Sequence, residues 1–115
     1  MAAEFDHAQL NAVTGDDVEF ERELLAEYLS SVGADLARLG DAVNGGDAIV
    51  VGQIAHAIKG ASATIGAKGF AALAMELERA GKSGDLAAAP RKMTVLTSEF
   101  EALSVFLRTR LSRAA

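Results

Sequence analysis

Apolar residues recur every three to four positions along most of the 115-residue chain, and no segment alternates apolar and polar residues as a half-buried strand does. The pattern predicts five helices. The first is short, from about Asp6 to Val13. The second runs from about Asp17 to Asn44, with Phe20, Leu24, Tyr28, Val32, Leu36, Leu39 and Val43 as its inward stripe and Gly33 as a place where it can bend. In the third, Val51, Ile54, Ala55, Ile58, Ala61 and Ile65 fall on one arc of a wheel turning about 100° per residue, and Gly66 can close it in a left-handed conformation. The fourth, about Lys68 to Ala80, offers Phe70, Leu73, Ala74 and Leu77 to a core and turns Glu76, Glu78 and Arg79 to water. Gly81 to Gly84 reads as a loop. The last helix runs to about Arg110, with Met93, Leu96, Phe100, Leu103 and Leu107 on one face.

Punctuation supports this division. Asp6 with Gln9, and Asp16 with Glu19, have the spacing of capping boxes, in which an aspartate accepts from unpaired backbone N–H groups and the later side chain reaches back. Asp47 and Asp85, each preceded by glycine, mark two further starts. Pro90 complicates the second of these: if Asp85 caps the last helix, the proline lies beyond the first turn and removes a backbone bond, so the regular helix begins only near Ala89. Short connections between amphipathic helices predict an all-α fold, an antiparallel up-and-down four-helix bundle with a short N-terminal capping helix, as a single domain over residues 1–115.

Composition narrows the function classes. Half the residues are apolar and only 5% aromatic, as in alanine-rich bundles. Cysteine is absent, which removes disulfide and thiol chemistry and suits a reducing cytoplasm. Met1 to Asp6 lacks the basic and apolar regions of a signal peptide. No apolar stretch is expected to reach the length of a membrane span, and the intact Met1 with tidy termini reads as a free-standing protein. A net charge of −5 argues against nucleic acid as a partner. Arg108, Arg110 and Arg113 form the nearest thing to a basic cluster, and read as favourable charge at a helix C-terminus.

The candidate chemistry centres on His56. The wheel places it about 160° from the centre of the apolar arc, so the imidazole points to water. Around it at helical spacing lie Gly52, Gln53, Lys59, Gly60, Ala63 and Ala67, most of them very small, which leaves the ring prominent and open to the approach of another surface. A helical histidine is ordinarily only a surface residue, and a lysine one turn on only a solvated charge. Other candidates are weaker. Gly81, Lys82 and Ser83 resemble the tail of a phosphate-binding loop, but Glu76 stands where its first glycine is needed and a helix precedes it. His7 reads as a surface residue, and no His or Cys cluster has metal-ligand spacing. Ser62 sits near the edge of the buried arc, where a serine bonds a carbonyl one turn back.

The run from His56 to Ala67 has histidine, lysine and two glycines, Gly60 and Gly66, at the offsets HxxKGxxxxxG, and it resembles the signature of histidine-containing phosphotransfer domains. The resemblance extends over nearly the whole chain; Pro90 departs from the family pattern. It implies a relay in which His56, through Nε2, takes a phosphoryl group from an aspartyl phosphate on one receiver domain and gives it to another. It further implies that Lys59 offsets phosphoryl charge, Gly60 gives steric access, and Gly52, Gln53, Ala63 and Ala67 form the docking skirt. No cofactor is expected to be bound intrinsically; Mg²⁺ would come with the receiver. The implied partners are response-regulator receiver domains, including that of a hybrid histidine kinase, and the implied state is a cytoplasmic monomer without kinase activity of its own. Two other readings remain. A sensor-kinase dimerisation fragment typically has an acidic residue directly after the histidine and a proline nearby, whereas Ala57 stands here and there is no room for an ATP-binding domain. A non-catalytic helical adaptor would have lost His56.

Overall fold

The computed structural model describes residues 4–114, with side chains through 112; Met1–Ala3 and the Arg113 side chain, invoked above, lie outside them. Five helices follow in order: α1 (His7–Thr14), α2 (Val18–Asn44), α3 (Ala48–Ile65), α4 (Lys68–Ser83) and α5 (Ala89–Ala114). Three begin as an aspartate dictates. The carboxylates of Asp6, Asp17 and Asp47 accept from the backbone N–H groups of Gln9, Phe20 and Val50, three residues on, at 3.0, 3.0 and 3.2 Å.

The details differ from the expected capping boxes. Asp17, not Asp16, caps α2, because Gly15 and Asp16 both turn through the left-handed region at φ 61° and 63°. Gln9 does not reach back to Asp6 but donates to the carbonyl of Thr64 at 3.1 Å, tying α1 to α3. Asp85 closes a small turn onto the N–H of Ala87, and α5 begins at Ala89, with Pro90 where a helix needs no N–H donor. α4 runs past the expected loop at Gly81 to Ser83, and Gly84 closes it at φ 80°.

α2 packs on α3 and α5, α4 packs on the same two, and the α3–α4 interface is the most extensive. The four long helices thus close an up-and-down bundle, with α1 against α2 and α3. The α2 stripe is Leu25, Tyr28, Val32, Leu36, Leu39 and Val43, all buried, while Phe20 is 43% exposed and Leu24 only partly covered. A row continued at four-residue spacing drifts about 40° per step, and by Phe20 it has left the core. In α3 Ser62 is buried and Ala61 exposed, the reverse of the wheel. The Ser62 hydroxyl pairs with the Tyr28 hydroxyl at 2.7 Å rather than with a carbonyl one turn back, so two polar groups satisfy each other inside the core.

α3, at 18 residues and mean hydropathy 1.2, does have the length and composition of a membrane span, contrary to expectation. Its apolar character has another cause here: Val51, Ile54, Ala55, Ile58 and Ile65 are buried by the surrounding helices. Arg110 is likewise more than a terminal charge, since it grips Glu21 of α2 with Nε at 2.7 Å and a second nitrogen at 3.2 Å.

The segment before α1 crosses the α3–α4 turn. Phe5 bridges to Ala67, the Asp6 N–H donates to the Gly66 carbonyl at 2.7 Å, and Lys68 pairs with Asp6 at 2.9 Å. Gly66 has φ 94°, and a Cβ there would run into the Asp6 carbonyl oxygen. Gly66→Ala therefore combines left-handed strain with a backbone clash and should cost about 2–4 kcal/mol. Thermal unfolding followed by circular dichroism should show a midpoint lower by roughly 10 °C or more; an unchanged midpoint would mean the crossing segment yields freely.

Candidate functional site

The outward face of α3 carries the site. Ile54, Ala55 and Ile58 bury their side of the helix, which leaves His56 pointing away with its side chain 66% exposed. One ring nitrogen is nevertheless fixed: Nδ1 lies 2.8 Å from Oε2 of Glu78 on α4. Glu78 was expected to face water and is instead 3% exposed, with Lys59 Nζ 2.7 Å from Oε1 and Lys82 Nζ 3.1 Å from Oε2. It lies in the row Ala71, Ala74, Glu78 and Gly81, whose other members are buried alanine and glycine. That three- and four-residue spacing, with Lys82 one turn beyond, is the signal that could have found it.

Lys59 first, then Lys82 and His56, hold the Glu78 carboxyl down to about 2 against the opposing effect of burial. The carboxylate is thus charged at any physiological pH. Because its folded value lies below the unfolded one near 4.5, the cluster's contribution to stability is complete above pH 4.5 and is lost as pH falls through about 2. An anionic acceptor at Nδ1 favours the tautomer with the proton on Nδ1, which leaves the Nε2 lone pair facing outward. Glu78, Lys59 and Lys82 together carry one surplus positive charge beside that lone pair.

Beside the ring an open groove of about 570 Å³ is lined by Ala48, Ile49, Gly52, Gln53, His56, Glu78, Gly81 and Lys82. Ile49 is 74% exposed, a large apolar side chain offered at its edge. Of the residues expected around His56, Gln53, Lys59, Gly60 and Ala63 share its face, and a Cβ at Gly60 would meet nothing within 4 Å. Gly52 is there too, but its smallness also serves the contact with α4: a Cβ on it would lie 3.7 Å from the Gly81 carbonyl carbon. Ala67 is a correction. It is 2% exposed, bridged to Phe5 at the start of α4, and has no surface to give a docking partner. The helical wheel placed it beside His56 only by carrying α3 past its end at Gly66.

Among the described residues no group of three His, Cys, Asp or Glu side chains could hold a metal ion. The one carboxylate at the site is already engaged by three donors, so these residues do not fit a divalent cation. His7 lies elsewhere, its ring edge-on to Phe5 at 5.1 Å and its Nδ1 3.1 Å from Arg110.

Comparison with known proteins is consistent with this geometry. The model of the Hpt domain family matches residues 23–106. Among solved structures, histidine-containing phosphotransfer protein B (HptB) from Pseudomonas aeruginosa PAO1 is similar at 26% identity, over 98% of each chain, with a TM-score of 0.91. The search of curated proteins found no match.

Proposed function

The chain belongs to the Hpt family, whose members carry phosphoryl groups on histidine in phosphorelay signalling, and on that premise we propose that His56 is the phosphoacceptor and Nε2 the attacking atom. The observation that carries this is an exposed ring whose Nδ1 is held by a buried carboxylate. Nε2 attacks the phosphorus of an aspartyl phosphate on a receiver domain; the P–O bond to the aspartate breaks as the P–N bond forms, and the reverse step loads a second receiver. Positive charge grows on the imidazole as the P–N bond forms, and Glu78 stabilises it through the Nδ1–H.

Lys59 and Lys82 offset the charge of the phosphoryl oxygens. A unit charge about 6 Å away in a half-wet setting is worth roughly 1–3 kcal/mol, enough to tune transfer but far short of a phosphoryl-transfer barrier. The remainder comes from the receiver, whose acidic pocket supplies Mg²⁺. Salt screening and the lysine's existing pairing with Glu78 bring the effect to the low end of that range, so Lys59→Ala should slow acceptance by roughly three- to tenfold and leave activity measurable; a quench-flow rate equal to that of the wild type would reduce the lysine to a surface charge.

Gly60 leaves open space over the ring, while Gly52, Gln53 and Ala63, with Ile49 at the groove's edge, form the surface on which a receiver sits. The partners are receiver domains of response regulators and of a hybrid histidine kinase. The chain acts as a cytoplasmic monomer, a carrier with no kinase activity of its own. Incubation with a phosphorylated receiver and Mg²⁺, followed by a second receiver, should move label onto the chain and off again; label that never reaches the chain would refute the relay. Sedimentation separates this reading from a kinase dimerisation fragment, which would be a dimer.

A further inference from the structure

Gly81 is a glycine without a backbone reason. It lies inside α4, is buried, and is not among the glycines at positive φ, which are Gly15, Gly46, Gly66 and Gly84. A glycine in a helix interior weakens the helix relative to alanine. What it permits is contact: a Cβ at this position would lie 2.5 Å from the Gly52 nitrogen, 2.7 Å from the Ala48 carbonyl oxygen and 2.7 Å from the Gly52 Cα. All three are backbone atoms of α3, so no side-chain rotation relieves the overlap. Gly40 and Gly60, by contrast, face open space.

The point of closest approach lies beside the reactive pair. Glu78 is one turn before Gly81 on α4, and His56 is one turn after Gly52 on α3. We infer that Gly81 is a positioning residue for phosphotransfer: by letting α4 lie directly on the backbone of α3, it keeps the Glu78 carboxylate within hydrogen-bonding reach of His56 Nδ1. This rests on His56 being the phosphoacceptor. Bringing a Cβ at residue 81 out to ordinary contact at 3.4 Å needs about 0.9 Å of helix separation. Taken along the line from Nδ1 to Oε2, that movement stretches the present 2.8 Å to as much as about 3.7 Å, beyond a hydrogen bond. Glu78 has little freedom to follow, because its carboxylate is nearly buried and paired with Lys82 one turn on in its own helix.

The test is Gly81→Ala in the full chain, labelled with ¹⁵N-histidine, with folding checked by circular dichroism. At a pH where the ring is neutral, the imidazole shifts of the wild type should report Nδ1–H, whereas the variant should show a mixture populated with Nε2–H. Acceptance from a phosphorylated receiver with Mg²⁺ should slow by roughly tenfold, the low end of what orienting partners of ring nitrogens contribute elsewhere. Gly40→Ala, which adds the same methyl in open space, should change neither reading. Should Gly81→Ala fail to fold, Gly52→Val loads the same crossing from the α3 side, where a Cβ already sits in contact at 3.7–3.8 Å and the γ-methyls must be accommodated beyond it, and it should shift the tautomer in the same direction. A folded wedge variant with the wild-type tautomer would overturn the inference. A wild-type chain that takes no label at His56 would remove the phosphoacceptor role on which it rests.

Discussion

His56→Gln is expected to fold as the wild type does and to accept no phosphate, a loss of more than about 10³-fold in rate, as when a nucleophile is removed. The two halves of that expectation have separate causes. The ring is mostly exposed and contributes no core surface, so its replacement should shift stability by no more than about 1 kcal/mol. Glu78 keeps two cations within ion-pair distance and is not left alone. Glutamine, however, offers an amide nitrogen whose lone pair is delocalised and cannot form the P–N bond. Thermal melts and labelling by a phosphorylated receiver check the two parts; persistent labelling would place the acceptor elsewhere.

The second large effect belongs to Glu78, a residue that holds the imidazole at Nδ1, away from the nitrogen that takes the phosphoryl group. Glu78→Ala should slow acceptance by about 10- to 100-fold, because the ring loses the acceptor that fixes its tautomer and orientation. The stability cost should be smaller than for most broken buried pairs, about 1–2 kcal/mol, since the Lys59 and Lys82 side chains reach water when released. The pH dependence has a definite sign. The carboxyl is lowered to about 2, chiefly by Lys59, so the stability gap between wild type and variant should hold above pH 4.5 and shrink as pH falls toward 2. Melts across that range measure it. A gap that persists undiminished at pH 2, or a variant with wild-type acceptance, would show that the carboxylate does not hold the ring.

How much of this was legible in the sequence depends on which partner decides each residue's place. Helix existence, the outward direction of His56 and the proximity of Lys59 all follow from the periodicity of a single helix, and the structure has them as expected. Glu78 and Ser62 do not, because their burial is settled by the facing helix, and Phe20 is misplaced by a row counted in fours along its own helix. Glu78 is covered because α4 lies against α3 at Gly81; Ser62 is covered because Tyr28 meets it; Phe20 is exposed because a four-residue row turns away from the core. A carboxylate read on its own wheel looks like a solvated face. Ala67 fails for a different reason: the chain turns at Gly66, so spacing counted through a helix end predicts a neighbourhood that no longer exists. Gly52 and Gly81 show the limit most clearly. A wheel marks a small residue without saying whether the space it leaves is for a visiting protein or for the next helix.

The most direct measurement is the location of the phosphate itself. The ¹⁵N-histidine-labelled chain, phosphorylated by a receiver with Mg²⁺ and kept alkaline to preserve the phosphoramidate, should show phosphorus-to-nitrogen coupling to Nε2 of His56 and to no other atom. Phosphate found on Nδ1, or on any other residue, would contradict an imidazole anchored through Nδ1 by Glu78.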